Sequence, residues 1–216
     1  TLSEEQTMTG IADILAHLLE RYFTRTEHVD FSDHLLEGAI RSLVKNAPEL
    51  KKDPDNIHLR TEIMWAGSMS HNNILGVGRE QDWASHLIEH ELSGFYDVAH
   101  GAGLAVVIPG WMEYVYKEDM TRFAQYAYRV WDVELNFIDL EPAALGGIEK
   151  TREFFRDIGM PRTLKELDIP GDRLEEMAES CVAGGPVGNF KKLYKDDVSA
   201  ILRSVADGEA TTSSLD

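Results

Sequence analysis

The chain has 216 residues, of which 43% are apolar and 27% charged, a composition typical of a soluble globular protein of one large or two small domains. It carries 21 basic and 38 acidic residues, a net charge of −17. Such a negative surface repels nucleic-acid phosphates and anionic lipids unless a basic patch compensates. The longest basic runs are Lys51–Lys52 and Lys191–Lys192. We therefore expect no nucleic-acid partner and no membrane partner.

Cysteine content and apolar runs indicate a cytoplasmic protein. Cys181 is the single cysteine, which excludes an intramolecular disulfide and a cysteine-based zinc cage. The longest uncharged apolar segment, Gly101–Met112, has twelve residues, whereas a membrane-spanning helix needs about 20. The first apolar stretch, Ile11–Leu19, is interrupted by Asp13 and His17 and does not resemble a signal peptide.

Apolar residues recur at helical spacing from the beginning of the chain. The first stripe comprises Met8, Ile11, Leu15, Leu18 and Leu19. Ser3, with Gln6 three residues later, predicts a capped start for this helix. A second helix is predicted from Ser32 to Asn46, because Pro48 follows it, and a third is predicted to begin near Pro54.

The rest of the chain continues the helical pattern. Further helices are predicted over residues 81–96, 101–116, 118–131, 146–158, 171–183 and 195–206. Glycine-rich breaks at Gly76–Gly78 and Gly184–Gly188 predict turns or loops, and no strand pair is evident. The sequence therefore predicts an all-α fold, a single multi-helix domain over residues 1–206. Residues 207–216 lack an apolar stripe and are predicted to form a flexible tail.

Five polar residues lie at helical spacing where a purely structural helix would not require them. Asp13 and His17 are four residues apart, hence on one helix face, and that face adjoins the apolar stripe. His86 and His90 repeat this spacing, and His100 precedes small residues that permit close backbone approach. Carboxylates and neutral imidazoles are normal ligands of divalent cations. Taken singly, each is also explained by an Asp–His hydrogen bond or a core histidine.

The order of these residues resembles a known enzyme family. The motifs are Asp13-x-x-x-His17, Asp82-Trp83-Ala84-x-His86-x-x-x-His90-Glu91 and His100-Gly101-x-Gly103-Leu104-Ala105. Together they resemble the iron-containing (group III) alcohol dehydrogenases, and most closely the branch of butanol dehydrogenases and NAD(P)H-dependent aldehyde reductases. The resemblance extends through residues 188–198. Each motif is weak by itself, whereas the ordered set is specific.

The resemblance implies a division of labour between two domains. Family enzymes join an N-terminal α/β nucleotide-binding domain to a C-terminal helical domain, of the dehydroquinate synthase-like type, that carries the metal. This chain resembles the C-terminal domain alone, and we expect the N-terminal nucleotide-binding domain to be absent from it. The family's metal ligands correspond to Asp13, His17, His86 and His100. His90 corresponds to a catalytic and cofactor-binding histidine near the nicotinamide and the substrate.

The resemblance also implies a reaction. The metal, Fe²⁺ in the family name although the same nitrogen and oxygen ligands accept Zn²⁺, would polarise the oxygen of a small aldehyde or alcohol. NAD(P)H, bound through the missing domain, would exchange a hydride with the substrate carbon. His90 would relay a proton or orient the substrate. The isolated fragment is expected to be inactive, and the choice between NAD and NADP and the identity of the alcohol stay open.

Two alternatives to a dehydrogenase domain remain at this point. His86-Leu87-Ile88-Glu89-His90 matches the H-x-x-E-H zinc-peptidase pattern, which would leave Asp13, His17 and His100 unused. Removing Glu89 should then abolish a peptidase but leave metal retention by a dehydrogenase domain largely intact. The chain could also be a non-catalytic metal-binding helical domain. An exposed interdomain face predicts a possible homo-oligomer, although the net charge opposes association.

His71 is a further candidate. It precedes the glycine break at Gly76–Gly78 and could line the same cavity, or could lie at the surface.

Overall fold

The computed structural model describes residues 2–207, and these residues form nine α-helices with three short 3-10 turns. The helices are α1 Glu4–Tyr22, α2 Asp30–Lys52, α3 Ile57–His71, α4 Ala84–Tyr96, α5 His100–Val115, α6 Met120–Trp131, α7 Glu141–Asp157, α8 Leu174–Cys181 and α9 Lys195–Ser204. Within this range the only β-type pairing is an isolated bridge between Val187 and Leu193. The predicted all-α fold is confirmed. The predicted tail lies outside the described residues except for Asp207.

Helix α1 begins where its cap predicts. The Ser3 hydroxyl accepts a hydrogen bond from the Gln6 backbone N–H, and the Gln6 side chain accepts one from the Ser3 backbone N–H. These reciprocal bonds satisfy two amides that the first turn leaves free. Ile11 and Leu15 are completely buried, and the helix packs against α2, α3 and α5. Because α1 is a core helix, its polar residue Asp13 lies beside the core.

Helix α5 is the most deeply buried helix near the site. Every residue from Gly101 to Met112 is buried, and the helix packs against α1, α4, α7 and α9. A methyl group at Gly101 would overlap the carbonyl oxygen of Thr9 in α1. The glycine therefore allows the beginning of α5, with His100, to lie directly against α1. Neither α5 nor any other helix in residues 2–207 is long and apolar enough to cross a membrane.

Helix α2 extends beyond its predicted end. It continues through Pro48 to Lys52, although a proline inside a helix costs about 3 kcal/mol. Two features of the last turn oppose this cost. Leu50 is fully buried, and Lys51 Nζ donates a hydrogen bond to the carbonyl oxygen of Asp157 at 3.0 Å. Tertiary contacts thus override the local stop signal.

Helix α7 begins five residues before its predicted start. It starts at Glu141 and runs through Gly146 and Gly147. A methyl group at Gly147 would lie 2.8 Å from the Ala127 side chain in α6, so this glycine permits close packing of two helices. The other predicted helix boundaries agree with the structure to within three residues.

A buried ion network fixes the segment that leads into α4. Arg79 Nη2 donates to Asp33 Oδ1 at 2.8 Å, and Arg79 Nη1 donates to the carbonyl oxygen of Arg21 at 3.0 Å. Arg122 of α6 donates to the second oxygen of Asp33. Burial opposes ionisation of this carboxyl group, but the two arginines together hold the pKa of Asp33 below its usual range. The network therefore joins α1, α2 and α6 to the approach of α4.

Asp82 ties the start of α4 to a distant loop. Its carboxylate accepts hydrogen bonds from the backbone N–H groups of Ala84 at 3.1 Å, Asn189 at 2.6 Å and Phe190 at 2.7 Å. Gly188, with a φ of +82°, makes the turn that brings the two loop amides there, as glycine does without strain. Burial and the neighbouring Glu20 carboxylate raise the pKa of Asp82 to about 7.

Candidate metal centre

The structure brings the four predicted ligand residues together where α1 meets α4 and α5. Asp13 Oδ1 lies 3.6 Å from His17 Nε2, 3.8 Å from His86 Nε2 and 3.6 Å from His100 Nε2. These separations exceed ordinary hydrogen-bond lengths. They resemble the spacing of about 3.4 Å between ligand atoms that share one tetrahedral ion at about 2.1 Å. Three imidazole nitrogens thus face one carboxylate oxygen.

The polar atoms at this point fit a divalent cation. Asp13 Oδ1 and His86 Nε2 are buried, and neither has a hydrogen-bond partner within the described part of the chain. Buried polar atoms are almost always paired, so two unpaired atoms that face each other indicate a place for a positive ligand. Ligand atoms of Asp13, His17 and His86 all lie within 4.8 Å of one another. A carboxylate with imidazoles is a common donor set for zinc and iron.

The electrostatic environment favours the cation-binding forms of two of these residues. Burial alone would raise the pKa of Asp13, but the facing imidazoles of His86 and His17 outweigh it and lower that pKa to about 2. Burial lowers the pKa of His17 to about 3, although Asp13 opposes this. At neutral pH Asp13 is therefore an anion and His17 is uncharged.

His86 lies between two carboxylates. Burial alone would lower its pKa, but contacts with Asp13 and Glu20 raise the pKa of His86 to about 9. Glu20 Oε1 lies 3.0 Å from both the backbone nitrogen and Nδ1 of His86, and Oε2 accepts a hydrogen bond from the Trp83 backbone N–H at 2.7 Å. The surroundings of this ring are therefore strongly negative, which suits a bound cation.

A second buried glutamate lies beside His100. Glu89 is completely buried, one of its oxygens contacts His100 Nδ1, and the other accepts a hydrogen bond from Ser93 Oγ at 2.6 Å. The sequence did not single out Glu20, and it singled out Glu89 only in the peptidase motif. Their burial beside the histidines is visible only in three dimensions.

The matching family model identifies the chain. Residues 6–206 match the model described as "Fe-containing alcohol dehydrogenase family, C-terminal". The chain belongs to the iron-containing alcohol dehydrogenase family. The relatives that it matches include the NADH-dependent butanol dehydrogenase A of Clostridium acetobutylicum, 36% identical over 206 residues, which are 94% of this chain and 53% of that protein. The NADPH-dependent aldehyde reductase YqhD of Escherichia coli is 33% identical over 177 residues, 81% of this chain and 44% of that protein.

Solved structures of family members have the same fold. The substrate- and cofactor-free YqhD structure superposes with a TM-score of 0.90 at 27% identity, covering 95% of this chain and 54% of that chain. The NADH-dependent butanol dehydrogenase A of Thermotoga maritima gives a TM-score of 0.89 at 34% identity, covering 95% and 53%. The chain spans about half the length of these family members.

Two further histidines of this chain lie at the site. His90 is exposed on α4, with its ring 5.4 Å from that of His100 and 6.5 Å from that of His86. It lies beside the ligand group, on its open side. His71, at the end of α3, places Nε2 3.1 Å from Asp13 Oδ2. His71 therefore reaches the same site.

Trp83 closes one side of the site. Its ring lies 5.2 Å from the His17 ring and 5.0 Å from the His86 ring. The Arg21 guanidinium lies 4.9 Å from the Trp83 ring centre and donates to the His17 carbonyl oxygen at 2.6 Å. The backbone φ of Trp83 is +66°, a strained value for a bulky residue. The strain is opposed by the hydrogen bond that its N–H donates to Glu20.

The geometry does not support the zinc-peptidase alternative. That mechanism needs both histidines of H-x-x-E-H on one ion and the glutamate facing water. Here His86 Nε2 faces Asp13 Oδ1 at 3.8 Å, whereas His90 is exposed and its ring centre lies 6.5 Å from that of His86. Glu89 is completely buried and bonded to other side chains, so it cannot activate water at the surface.

Proposed function

We propose that residues 1–206 are the metal-holding catalytic domain of an NAD(P)-dependent alcohol dehydrogenase that interconverts a small alcohol and its aldehyde. The ligands would be Asp13, His17, His86 and His100, and the ion Fe²⁺, with Zn²⁺ as the alternative. One observation carries the proposal: Asp13 Oδ1 faces three imidazole nitrogens and has no hydrogen-bond partner of its own among residues 2–207. Nucleotide binding would belong to a part of the enzyme outside this sequence.

The residues of this chain would each contribute to the reaction. A bound divalent ion supplies Lewis acidity toward the substrate oxygen, and a nicotinamide on the complementary domain supplies the hydride. One carboxylate and three neutral imidazoles would leave the site a net charge near +1, and this remaining positive charge would attract an oxygen ligand. Trp83 excludes water from one side. The His100 side chain, 37% exposed, marks the open side from which substrate approaches.

His90 is the candidate proton-handling residue. It is exposed, and its ring is 5.4 Å from that of His100, within reach of a substrate bound on the open side. A histidine there can orient the substrate oxygen or exchange a proton with it and with water. The cytoplasmic location and the possible homo-oligomer stay predictions.

Metal titration tests the proposed site. We expect the metal-stripped chain to bind one equivalent of Co²⁺. Calorimetry and the visible absorption of the ion both measure this binding. Asp13→Ala and His86→Ala should each weaken Co²⁺ binding at least about 100-fold, because each removes a residue proposed to bind the ion directly and leaves its buried polar neighbours unpaired. His58→Ala is the matched control, since His58 is exposed on α3 and should leave binding unchanged. Wild-type affinity in the Asp13→Ala variant would rule out the assignment.

A further inference from the structure

Two buried glutamates contact the Nδ1 atoms of two candidate ligands. We infer that Glu20 and Glu89 are positioning residues, which hold His86 and His100 with Nδ1 protonated and Nε2 directed at a bound ion. This inference rests on the proposed function, because it takes the Nε2 atoms of His86 and His100 as metal ligands.

Glu20 holds His86 across the contact between α1 and α4. Its Oε1 is 3.0 Å from His86 Nδ1, and its two oxygens also accept the backbone N–H groups of His86 and Trp83. An ionised carboxylate only accepts hydrogen bonds, so Nδ1 must donate. In the neutral ring Nε2 then carries the lone pair, and this atom lies 3.8 Å from Asp13 Oδ1.

Glu89 holds His100 in the same way across the contact between α4 and α5. One oxygen contacts His100 Nδ1 and the other accepts from Ser93 Oγ. His100 Nε2 then lies 3.6 Å from Asp13 Oδ1. A methyl group at Gly103 would lie 2.5 Å from Glu89 Oε1, so the glycine makes room for this carboxylate.

The two contacts form a series through three helices. Glu20 follows His17 by three residues and Glu89 follows His86 by three, yet each glutamate contacts the histidine of the next helix. The carboxylates therefore link α1 to α4 and α4 to α5 at the level of the ligands. Within residues 2–207 His17 has no such carboxylate partner, and its Nδ1 lies 3.3 Å from Arg21 Nη1.

The depth of burial favours a role at the site. Glu20 is 3% exposed and Glu89 is completely buried. Buried carboxylates are retained only with compensating partners. Together with Asp13 they place three carboxyl groups around the imidazoles, an environment that favours a divalent cation. Carboxylates bonded to the second nitrogen of a ligating histidine commonly fix its ring orientation and raise its basicity.

Metal affinity separates positioning from charge alone. We expect Glu20→Gln and Glu89→Gln each to weaken Co²⁺ binding by about 10- to 100-fold and to alter the Co²⁺ absorption spectrum, because changes in such outer partners have effects of this size. For Glu89, its contact with His100 replaces the expectation from the sequence that metal retention does not depend on this residue. Glu80→Gln and Glu91→Gln are the controls. Each removes one negative charge, the first beside the start of α4 and the second on α4. Their screened charges should change the affinity less than about threefold.

Nuclear magnetic resonance of the Zn²⁺-loaded chain gives a readout that a merely structural role would not change. We expect slowly exchanging Nδ1–H protons on His86 and His100, and we expect the metal to change the chemical shift of the Nε2 atom of each ring. Glu20→Gln should perturb only the His86 signal, and Glu89→Gln only the His100 signal. If one variant fails to fold, the other variant and the wild-type signals still decide. Zinc bound through Nδ1 of both rings would overturn the inference.

The outcomes distinguish the two proposals. A wild-type chain that binds no Co²⁺ would overturn the proposed function and this inference with it. A wild-type chain that binds Co²⁺, with both glutamine variants as tight as the two controls, would overturn only the positioning role. Weaker binding in the glutamine variants with the matching loss of Nδ1–H signals would support both.

Discussion

Asp33 shows how one buried carboxylate can stabilise the region behind the site. It bonds to Arg79 and Arg122, and removing one partner of a buried ion pair typically costs about 3–5 kcal/mol. We expect Asp33→Asn to lower the free energy of unfolding by about 3 kcal/mol at pH 7, measured by urea denaturation. Asp132→Asn, at an exposed pair with Arg41, should cost less than about 1 kcal/mol.

The effect of Asp33 should depend on pH in one direction. The pKa of this residue is lower in the folded chain than its unfolded value of about 3.9. Its ionised form therefore stabilises the fold fully above that value, and the contribution is lost as the pH falls through the folded pKa. The difference in the free energy of unfolding between wild type and Asp33→Asn should be constant from about pH 5 to about pH 7 and should shrink below about pH 4. A difference that grows in acid would contradict this account.

Among individual residues, the sequence singled out Asp13 and the clustered histidines but not both of the glutamates that contact them. Asp13 and His86 could be recognised because helical spacing and motif order distinguish them from a uniform apolar stripe. Glu20 and Glu89 could not, because the spacing His-x-x-Glu predicts a partner on the same helix. Their partners lie on the next helix, which only the packing of α1, α4 and α5 determines. The metal-binding role itself stays a proposal.

The contact between α1 and α5 depends on one small residue. A methyl group at Gly101 would overlap the carbonyl oxygen of Thr9, whereas one at Gly10 would meet no atom within 4 Å. We expect Gly101→Ala to destabilise the chain by about 1–3 kcal/mol, because overpacking forces the helices apart. Gly10→Ala, the matched control in α1, should stabilise it by about 0.5–1 kcal/mol. Thermal unfolding of both variants measures the difference, and equal shifts would refute the close-packing role.

The helices themselves were predictable to different degrees. Helix α1 begins at its capping box, a signal that depends only on neighbouring residues. Helix α2 passes Pro48, and Leu50 beyond it is buried by other helices. Helix α7 begins at Glu141 with Pro142 in its first turn, a local start signal that the apolar periodicity alone did not reveal. Local signals therefore predict where helices exist and begin, whereas tertiary contacts decide where α2 ends.

The overall fold class was the feature that the sequence predicted best. Helical periodicity without a strand pair predicted an all-α fold, and the structure confirms it. Periodicity carries no information on which helices contact each other. The expectation that residues 13, 17, 86 and 100 lie together therefore came from the family resemblance and not from the helical pattern. The boundary at residue 206 stays a prediction.

The division between two domains makes a prediction about turnover. The chain spans about half the length of its relatives, so we expect no NADH or NADPH oxidation with butanal by the metal-loaded chain alone. Adding a nucleotide-binding domain of a related butanol dehydrogenase should restore turnover, measured by nicotinamide absorbance, in wild type but not in Asp13→Ala. Turnover by the chain alone would contradict the division. If the metal-loaded chain shows no turnover either alone or with the added nucleotide-binding domain, the result would favour the non-catalytic alternative.

The hydrogen bonds from the Asn189 and Phe190 amides to Asp82 make α4 sensitive to proteolysis of a distant loop. A protease nick near Gly188 would release two of the donors that hold this carboxylate, although the break lies about a hundred positions away from His86 along the chain. Residues 188–190 therefore hold the start of α4 in place, although they add no side chain to the histidine cluster. Removing this loop would loosen α4 while leaving every residue of the cluster in the chain.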